Sequence, residues 1–337
     1  MRIGVVGLGG IARAHLAGWR AIDSAEPLEF HGHDVSSEAA TPEGVTRHDD
    51  LAELLGIVDL VDICTPTFSH VELIKAAADA GKPVLCEKPL ALTVAEAVEA
   101  ARHCAAAGVS LQVGQVVRYF PAYVAAHRAF ATGAYGEPAV LRFRRAGGMP
   151  RQPWFADEER SGGIALDLMI HDIDQARWFA GDVVRVHAHL KGLDGPGLRP
   201  HALAILTHAS GAISHITSSW ALQSGFGTAF EIACTQGILE HDTRDVAPIR
   251  FDRSDVALPP APAAPGQSPF AEELAELAGA ALEGRPARVG VGDAIAALSV
   301  ALAVRESART GRAVVPEAVP DDLRSPTVSW DDLAGVR

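Results

Sequence analysis

The chain is short of cysteine, of positive charge and of long apolar runs, and each shortage removes a class of protein. Its 337 residues hold four cysteines (Cys64, Cys86, Cys104 and Cys234), at spacings that fit neither a disulfide framework nor a thiolate metal site. Cys64 and Cys86 fall inside apolar, strand-like runs and read as buried free thiols. Lys and Arg number 29 against 42 Asp and Glu, a net charge of −13. Such a surface repels phosphodiester backbones and offers anionic membranes no polybasic segment, so neither nucleic acid nor a membrane is an expected partner. No stretch approaches the roughly 18 uninterrupted apolar residues of a membrane helix. The opening Met1-Arg2-Ile3-Gly4-Val5-Val6 breaks into glycines too soon for a signal-peptide core and reads as a first strand, so the expected location is the cytoplasm. No internal repeat is visible. What is present is ordinary for a globular chain, with 48% hydrophobic and 21% charged residues. At roughly 150 residues per domain, the length suggests two domains.

Strand and helix patterns alternate through the first 115 residues. Ile3 to Gly7, Leu28 to Asp34, Val45-Thr46, Leu60 to Thr65, Val84 to Glu87 and Ser110 to Gly114 read as strands. Ile11 to Ile22, Asp49 to Leu55, Ser69 to Ala80 (with Ser69 as N-cap and Gly81 as stop) and Thr93 to Ala107 read as the intervening helices. That alternation means parallel βαβ units. After Phe120 the pattern changes. A helix from Pro121 to Ala131 and a strand from Pro138 to Arg145 precede an uninterrupted helix from Ala165 to Ala180. Four strands follow, Val184 to Leu190, Ala202 to His208, Ala212 to Leu222 and Thr228 to Thr235, whose short separations predict an antiparallel meander. The proline-rich segment 258–269 reads as a surface loop before two closing helices, Pro269 to Leu282 and Asp293 to Thr310. The expected architecture is an α/β Rossmann domain over residues 1–119, then an α+β domain with a large, mainly antiparallel open sheet over residues 120–337, used for substrate binding and oligomerisation.

Gly7-Leu8-Gly9-Gly10-Ile11-Ala12 is a glycine fingerprint with Ala in its third position. It follows a strand and opens a helix, the context a dinucleotide site requires. Gly7 permits the tight turn, Gly9 lets backbone approach a pyrophosphate, and Ala12 is small enough for helix–strand packing. The helix N-terminus, with Gly10 and Ile11, presents unpaired N–H groups to phosphate. Asp34 ends the second strand, 22 residues past Ala12, where a carboxylate binds ribose hydroxyls and repels a 2′-phosphate. No Arg or Lys follows in Val35-Ser36-Ser37-Glu38, so NAD is favoured, with NADP the alternative. His31 and His33 alternate onto one strand face without a third ligand, and no metal is expected.

Three further segments are specific in combination: Asp62-Ile63-Cys64-Thr65-Pro66-Thr67-Phe68-Ser69-His70, Gly81-Lys82-Pro83-Val84-Leu85-Cys86-Glu87-Lys88-Pro89, and Gly162-Gly163-Ile164-Ala165-Leu166-Asp167-Leu168-Met169-Ile170-His171-Asp172-Ile173-Asp174. With the glycine fingerprint before them, the chain resembles the glucose–fructose oxidoreductase, inositol dehydrogenase and rhizopine-catabolism (Gfo/Idh/MocA) family along its whole length. The resemblance implies a lysine, Lys88 of Glu87-Lys88-Pro89, lying between nicotinamide and a substrate hydroxyl, with a cis Lys88–Pro89 bond. It implies Asp167 and His171 as the rest of the catalytic set. Thr65, Pro66 and His70 match the cofactor loop after the fourth strand, Glu87 joins them, and Arg118 matches a position that lines the substrate pocket. Met169 stands where the family commonly has glycine, which implies an altered pocket volume.

Asp167 and His171 are also i and i+4 on one predicted helix, so both project from one face. A carboxylate beside an imidazole orients it and stabilises its protonated form, as proton handling requires. Asp172 and Asp174 read instead as capping or solvated helix charges. Trp154, in Pro153-Trp154-Phe155, offers a ring that could stack on a sugar or equally seal a domain junction. The expected activity is NAD-dependent oxidation or reduction at one secondary hydroxyl of a sugar, polyol or sugar derivative. NAD-dependent glycoside cleavage and a non-catalytic cofactor sensor are the alternatives. Runs such as Ile213-Ser214-His215-Ile216-Thr217-Ser218-Ser219-Trp220 are semi-apolar on both faces, which predicts pairing into a homodimer or homotetramer.

Overall fold

The computed structural model describes residues 1–24, 26–192, 199–222, 225–244, 249–252 and 268–324. These fall into two compact units. The first comprises residues 1–119 together with described residues from 268–295 and 319–324; the second comprises described residues from 120–252 and residues 296–318. The proline-rich residues 258–267 lie outside the described residues.

The first unit is a six-stranded parallel sheet in the order β3-β2-β1-β4-β5-β6. The strands are β1 (Arg2–Val6), β2 (Glu29–His33), β3 (Val45–Arg47), β4 (Leu60–Ile63), β5 (Val84–Glu87) and β6 (Leu111–Gly114), separated by helices α1 (Gly10–Ala21), α2 (Leu51–Ile57), α3 (His70–Asp79) and α4 (Val94–Ala107). Right-handed crossovers through helices bury both faces of such a sheet, which is why β1, β4 and β5 are almost wholly apolar. Asp50 caps α2 by accepting from Ala52 and Glu53, and Thr93 with Glu96 closes a reciprocal capping box on α4. Ser69 does not cap α3 as expected. Its hydroxyl donates to Thr65 Oγ1 and the Pro66 carbonyl and holds the preceding loop instead. Helix α8 (Pro269–Glu283) packs against α1. Gly18 makes this approach feasible, because a Cβ there would meet Phe270 and Leu274 at 3.0 Å. Ile3, Val5, Leu8, Leu16, Trp19, Leu60, Leu274 and Leu277 form the resulting core. Burial of each such side chain contributes roughly 1.5–3 kcal/mol relative to exposure.

The second unit is a seven-stranded sheet in the order β13-β12-β11-β7-β10-β9-β8. Its strands are β7 (Pro138–Ala146), β8 (Val183–Lys191), β9 (His201–His208), β10 (Ile213–Ser219), β11 (Gly227–Cys234), β12 (Gly237–Asp242) and β13 (Ile249–Asp252). The expected four-strand meander holds only for β8-β9-β10; β11 continues instead into β12 and β13, two strands not expected from the sequence. Strand β7 inserts between β10 and β11, and it runs parallel to β10. A helical crossover rather than a turn separates β7 from β8, so β7 is free to join the far side of β10. That crossover follows α5 (Pro121–Ala131) and contains α6 (Glu158–Ser161), a π turn at Ala165–Met169, and α7 (Ile170–Ala180). The expected uninterrupted helix over 165–180 is therefore broken in character at its first turn. Helix α9 (Val291–Thr310) is the last long helix of the described residues. None of their helices is long and apolar enough to cross a membrane.

Candidate functional site

In the first unit, the sharp turn after β1 is made by Gly7 at φ 88°. A Cβ on Gly7 would lie 2.7 Å from Thr65 Cγ2 and 3.0 Å from the Cys64 carbonyl, so only glycine fits between β1 and the end of β4. Gly9 and Gly10 face the opposite circumstance, with nothing within 4 Å of where a Cβ would stand. Gly9 is the N-cap of α1, without a side-chain cap, and no acidic residue occupies the first turn. The helix thus presents open N–H groups and its positive end to a space kept clear of side chains. Ala12 is fully buried at the third position, as the packing argument requires.

The Asp34 carboxylate is held from two sides, by the N–H of Leu8 (2.8 Å) and of Ser36 (2.8 Å). Arg47 of β3 braces the same loop, donating to the carbonyls of Asp34, Ser36 and Ala39. A phosphate cradle and a fixed carboxylate at the end of β2 suit a dinucleotide, the cradle for its pyrophosphate and Asp34 for a ribose diol.

Thr65 and Pro66 follow β4 and are half-buried. His70 is fully buried, with Nε2 2.9 Å from the Thr65 carbonyl and Nδ1 2.9 Å from the Pro89 carbonyl. It ties the loop after β4 to the turn after β5. Burial holds its ring below the ordinary imidazole pKa despite those carbonyls. The Lys88–Pro89 bond is cis, as the resemblance implied, and Lys88 is half-buried. Glu87 points inward, accepting the Lys88 N–H on Oε2 at 3.0 Å. Arg118 is 3% exposed, and its guanidinium donates to the Arg288 carbonyl and approaches Asp293. Arg288 and Asp293 lie in the first unit with it.

In the second unit, Asp167 lies in the π turn and His171 in the first turn of α7. Along residues 161–176, these two are half-buried and the rest are buried. A π turn widens the helix and is commonly found at functional sites; here it replaces the simple i, i+4 geometry expected from spacing. Met169, expected to change pocket volume, is completely buried. Trp154 and Phe155 stack at 3.8 Å between centroids, and Phe155 meets Trp220 edge-on at 6.4 Å.

Residues 1–115 match the model of the NAD-binding Rossmann domain of the Gfo/Idh/MocA oxidoreductases, and residues 123–240 match the model of a Gfo/Idh/MocA C-terminal domain. The chain belongs to the Gfo/Idh/MocA family. Residues 1–115, within the first unit, are that family's NAD-binding domain. Among its relatives, the D-apiose dehydrogenase of Paraburkholderia graminis is 37% identical over 64% of this chain, and the match spans 60% of the relative's length. The NAD(+)-dependent scyllo-inositol 2-dehydrogenase of Bacillus subtilis is 31% identical over 70% of this chain and 72% of its own. Among solved structures, GenD2 of gentamicin A biosynthesis, in complex with NAD, superposes with a TM-score of 0.82 at 26% identity, covering 94% of this chain and 97% of that one.

Within this Gfo/Idh/MocA chain, sequence reasoning missed two buried charge clusters. Asp172, expected at the surface, is fully buried, and its carboxylate takes a bidentate bond from Arg145 of β7 at 2.7 and 3.1 Å; Asp174 is 1% exposed. The reason is that α7 lays this face on the sheet, where β7 supplies a buried guanidinium. The second cluster joins His15 of α1, Asp62 of β4, Glu87 of β5 and Glu273 of α8, all buried. Asp62 inside an apolar strand and Glu273 on an apolar helix face were visible signals, since a charge on a core face needs a partner. His15, Asp62 and Cys64 bring donor atoms within 4.8 Å of one another. The His15 nitrogen is already hydrogen-bonded to both Asp62 oxygens, and burial pushes the Cys64 thiol up to about 12, so Cys64 acts as a weak donor rather than a thiolate.

Proposed function

We propose that this chain is an NAD-dependent dehydrogenase of the secondary hydroxyl of a sugar, an inositol-type polyol or a sugar derivative. The observation that carries the reading is that Asp167 and His171 are half-buried along a helical segment whose other side chains are buried, in a chain that also keeps Lys88 beside a dinucleotide cradle. Bound NAD supplies the hydride acceptor. Loss of hydride from an alcohol carbon must be matched by loss of the hydroxyl proton, and His171 is the residue assigned to accept it. Asp167 orients His171 and stabilises its protonated form. Lys88 donates a hydrogen bond and a positive charge to the oxygen as negative charge develops there. Trp154 is assigned to stack on a sugar ring. The relatives' names, D-apiose and scyllo-inositol dehydrogenases, point to the same class of substrate.

The protein is assigned to the cytoplasm and to a homodimer or homotetramer. The outward face of the second sheet carries Ile205 and Ile213, each more than 40% exposed, beside Arg142 paired with Glu231 and Arg144 paired with Asp242. An apolar patch framed by fixed charges suits a second copy of the same surface. Light scattering should give twice or four times the 35.3 kDa chain mass; a monomer at micromolar concentration would remove the assembly.

The decisive experiment is a panel of inositols, aldoses and sugar nucleotides, followed by NADH absorbance with NAD and NADP in parallel. Turnover of at least one polyol with NAD is expected, and Lys88→Ala and His171→Ala should each lower kcat by orders of magnitude while NAD still binds. Release of aglycone from glycosides without net NADH would favour glycoside cleavage instead. NAD binding without any turnover would leave a cofactor sensor.

A further inference from the structure

The buried cluster beneath the cofactor cradle is wired to the lysine turn. His15 stands in the second turn of α1, the helix whose N-terminus forms the cradle. Its Nδ1 lies 3.0 Å from both oxygens of Asp62, and its Nε2 lies 2.9 Å from Oε1 of Glu87. The other oxygen of Glu87 accepts the backbone N–H of Lys88. Trp19, one turn further along α1, donates its indole N–H to Asp62 at 2.8 Å. A carboxylate only accepts hydrogen bonds. With both acids ionised, a ring that has a carboxylate at each nitrogen carries both protons; a neutral imidazole would set one lone pair against an anion at about 3 Å.

We infer that His15 is a positioning residue, held as an imidazolium that bridges Asp62 and Glu87 and, through Glu87, fixes the backbone of Lys88 relative to the helix that cradles the dinucleotide. The inference rests on the reading of Lys88 as the lysine of the reaction.

The bridge has a physical logic. A lysine side chain is long and flexible, and only its backbone can be anchored without consuming the ammonium. Glu87 provides that anchor with one oxygen while the other is gripped by α1, so cradle and lysine turn move as one body. The groups facing His15 are Asp62 and Cys64 from β4 and its end, Glu87 from β5, Trp19 on α1 itself, and Glu273 and the Phe270 ring from α8. Burial alone would strip the ring of its proton, but the Asp62 charge and hydrogen bond outweigh it and hold the pKa well above the ordinary imidazole value. The Glu273 carboxyl is also pushed up, by burial and by the Glu87 charge, which keeps it neutral. Asp62 and Glu87 thus share the single cation, with no third anion competing for it.

The test begins with the unmodified protein, labelled with ¹⁵N-histidine, in which NMR should find both ring nitrogens of His15 protonated at pH 7.5. A ring that loses its proton at the ordinary imidazole midpoint overturns the inference, and this measurement needs neither substrate nor variant. His15→Gln and Glu87→Gln should then lower kcat at least tenfold on the fastest polyol of the panel, while calorimetric titration with NAD gives a Kd within about threefold of the parent. The kcat–pH profile of the parent should carry an alkaline limb that is absent in His15→Gln. Trp19→Phe removes a bond from the same network at Asp62, on the far side of His15 from Glu87; it should lower the Tm yet leave kcat within about twofold. Equal loss of kcat in Trp19→Phe and His15→Gln, or a kcat in His15→Gln within twofold of the parent, overturns positioning in favour of a purely structural role. Full turnover in Lys88→Ala would instead sink the reading of Lys88, while the NMR signal continued to report on the bridge.

Discussion

Arg145 and Asp172 meet where neither reaches water, at 2% and 0% side-chain exposure, and Tyr123 adds its hydroxyl to the guanidinium. Removing one partner leaves the other charge buried alone, so Arg145→Met should cost about 3–5 kcal/mol in urea unfolding. The double variant Arg145→Met with Asp172→Leu should recover most of that loss; failure to recover would mean that the pair contributes more than mutual neutralisation. His15 and Glu273 both keep a proton that the unfolded chain gives up, so both favour low pH, over different windows. The His15 ring keeps its proton above the ordinary imidazole value of 6.5, whereas the unfolded chain releases it there. Its contribution is complete below about pH 6.5 and drains away as pH climbs through the higher pKa of the folded ring. Glu273 stays protonated while an unfolded glutamate ionises above 4.5, so it destabilises the fold increasingly as pH rises past that value. Glu273→Gln should therefore raise the Tm by a few degrees at pH 7.5 and change it little at pH 4. A lower Tm at pH 7.5 would mean that the carboxyl is charged and useful.

At the scale of elements, the helices of the first unit are set by local chemistry. Thr93 and Glu96 exchange hydrogen bonds across the first turn of α4, and Gly108 ends it in the left-handed conformation at φ 70°. Thr93→Ala should cost about 1 kcal/mol in chemical denaturation, without effect on NAD affinity. Such ends were readable from residue type alone: Thr93, Gly81, Gly108 and Pro121 stand where caps and breakers belong. The π turn at Ala165–Met169 was not. Nothing in Ala-Leu-Asp-Leu-Met distinguishes a helix wound one residue wider, because the apolar periodicity is masked when nearly every side chain is buried. The same masking hid Asp172, whose partner Arg145 lies 27 residues away on β7. It also hid the place of β7 in the sheet, since a strand's own pattern of alternation reports which face is inside and says nothing of its neighbours.

On the scale of the whole molecule, the dinucleotide is part of the stability. NAD at a hundredfold excess over its Kd should stabilise the folded chain by about 2.7 kcal/mol, read as a rise in thermal midpoint, and NADP should do less because Asp34 opposes a 2′-phosphate. Equal shifts would remove the specificity argued from that carboxylate. The amino-acid order alone determined the parallel first sheet, its glycine turn and the Asp34 position. Each of these is a local matter: a turn's φ, a strand's period, a motif's spacing. Only the tertiary structure decided that α8 returns to pack on α1, that β7 lies parallel to β10, and that His15, Asp62, Glu87 and Glu273 share one buried space. These features join residues tens to hundreds of positions apart. Their energies come from desolvation and from charge pairing across packed elements, which no window of sequence contains.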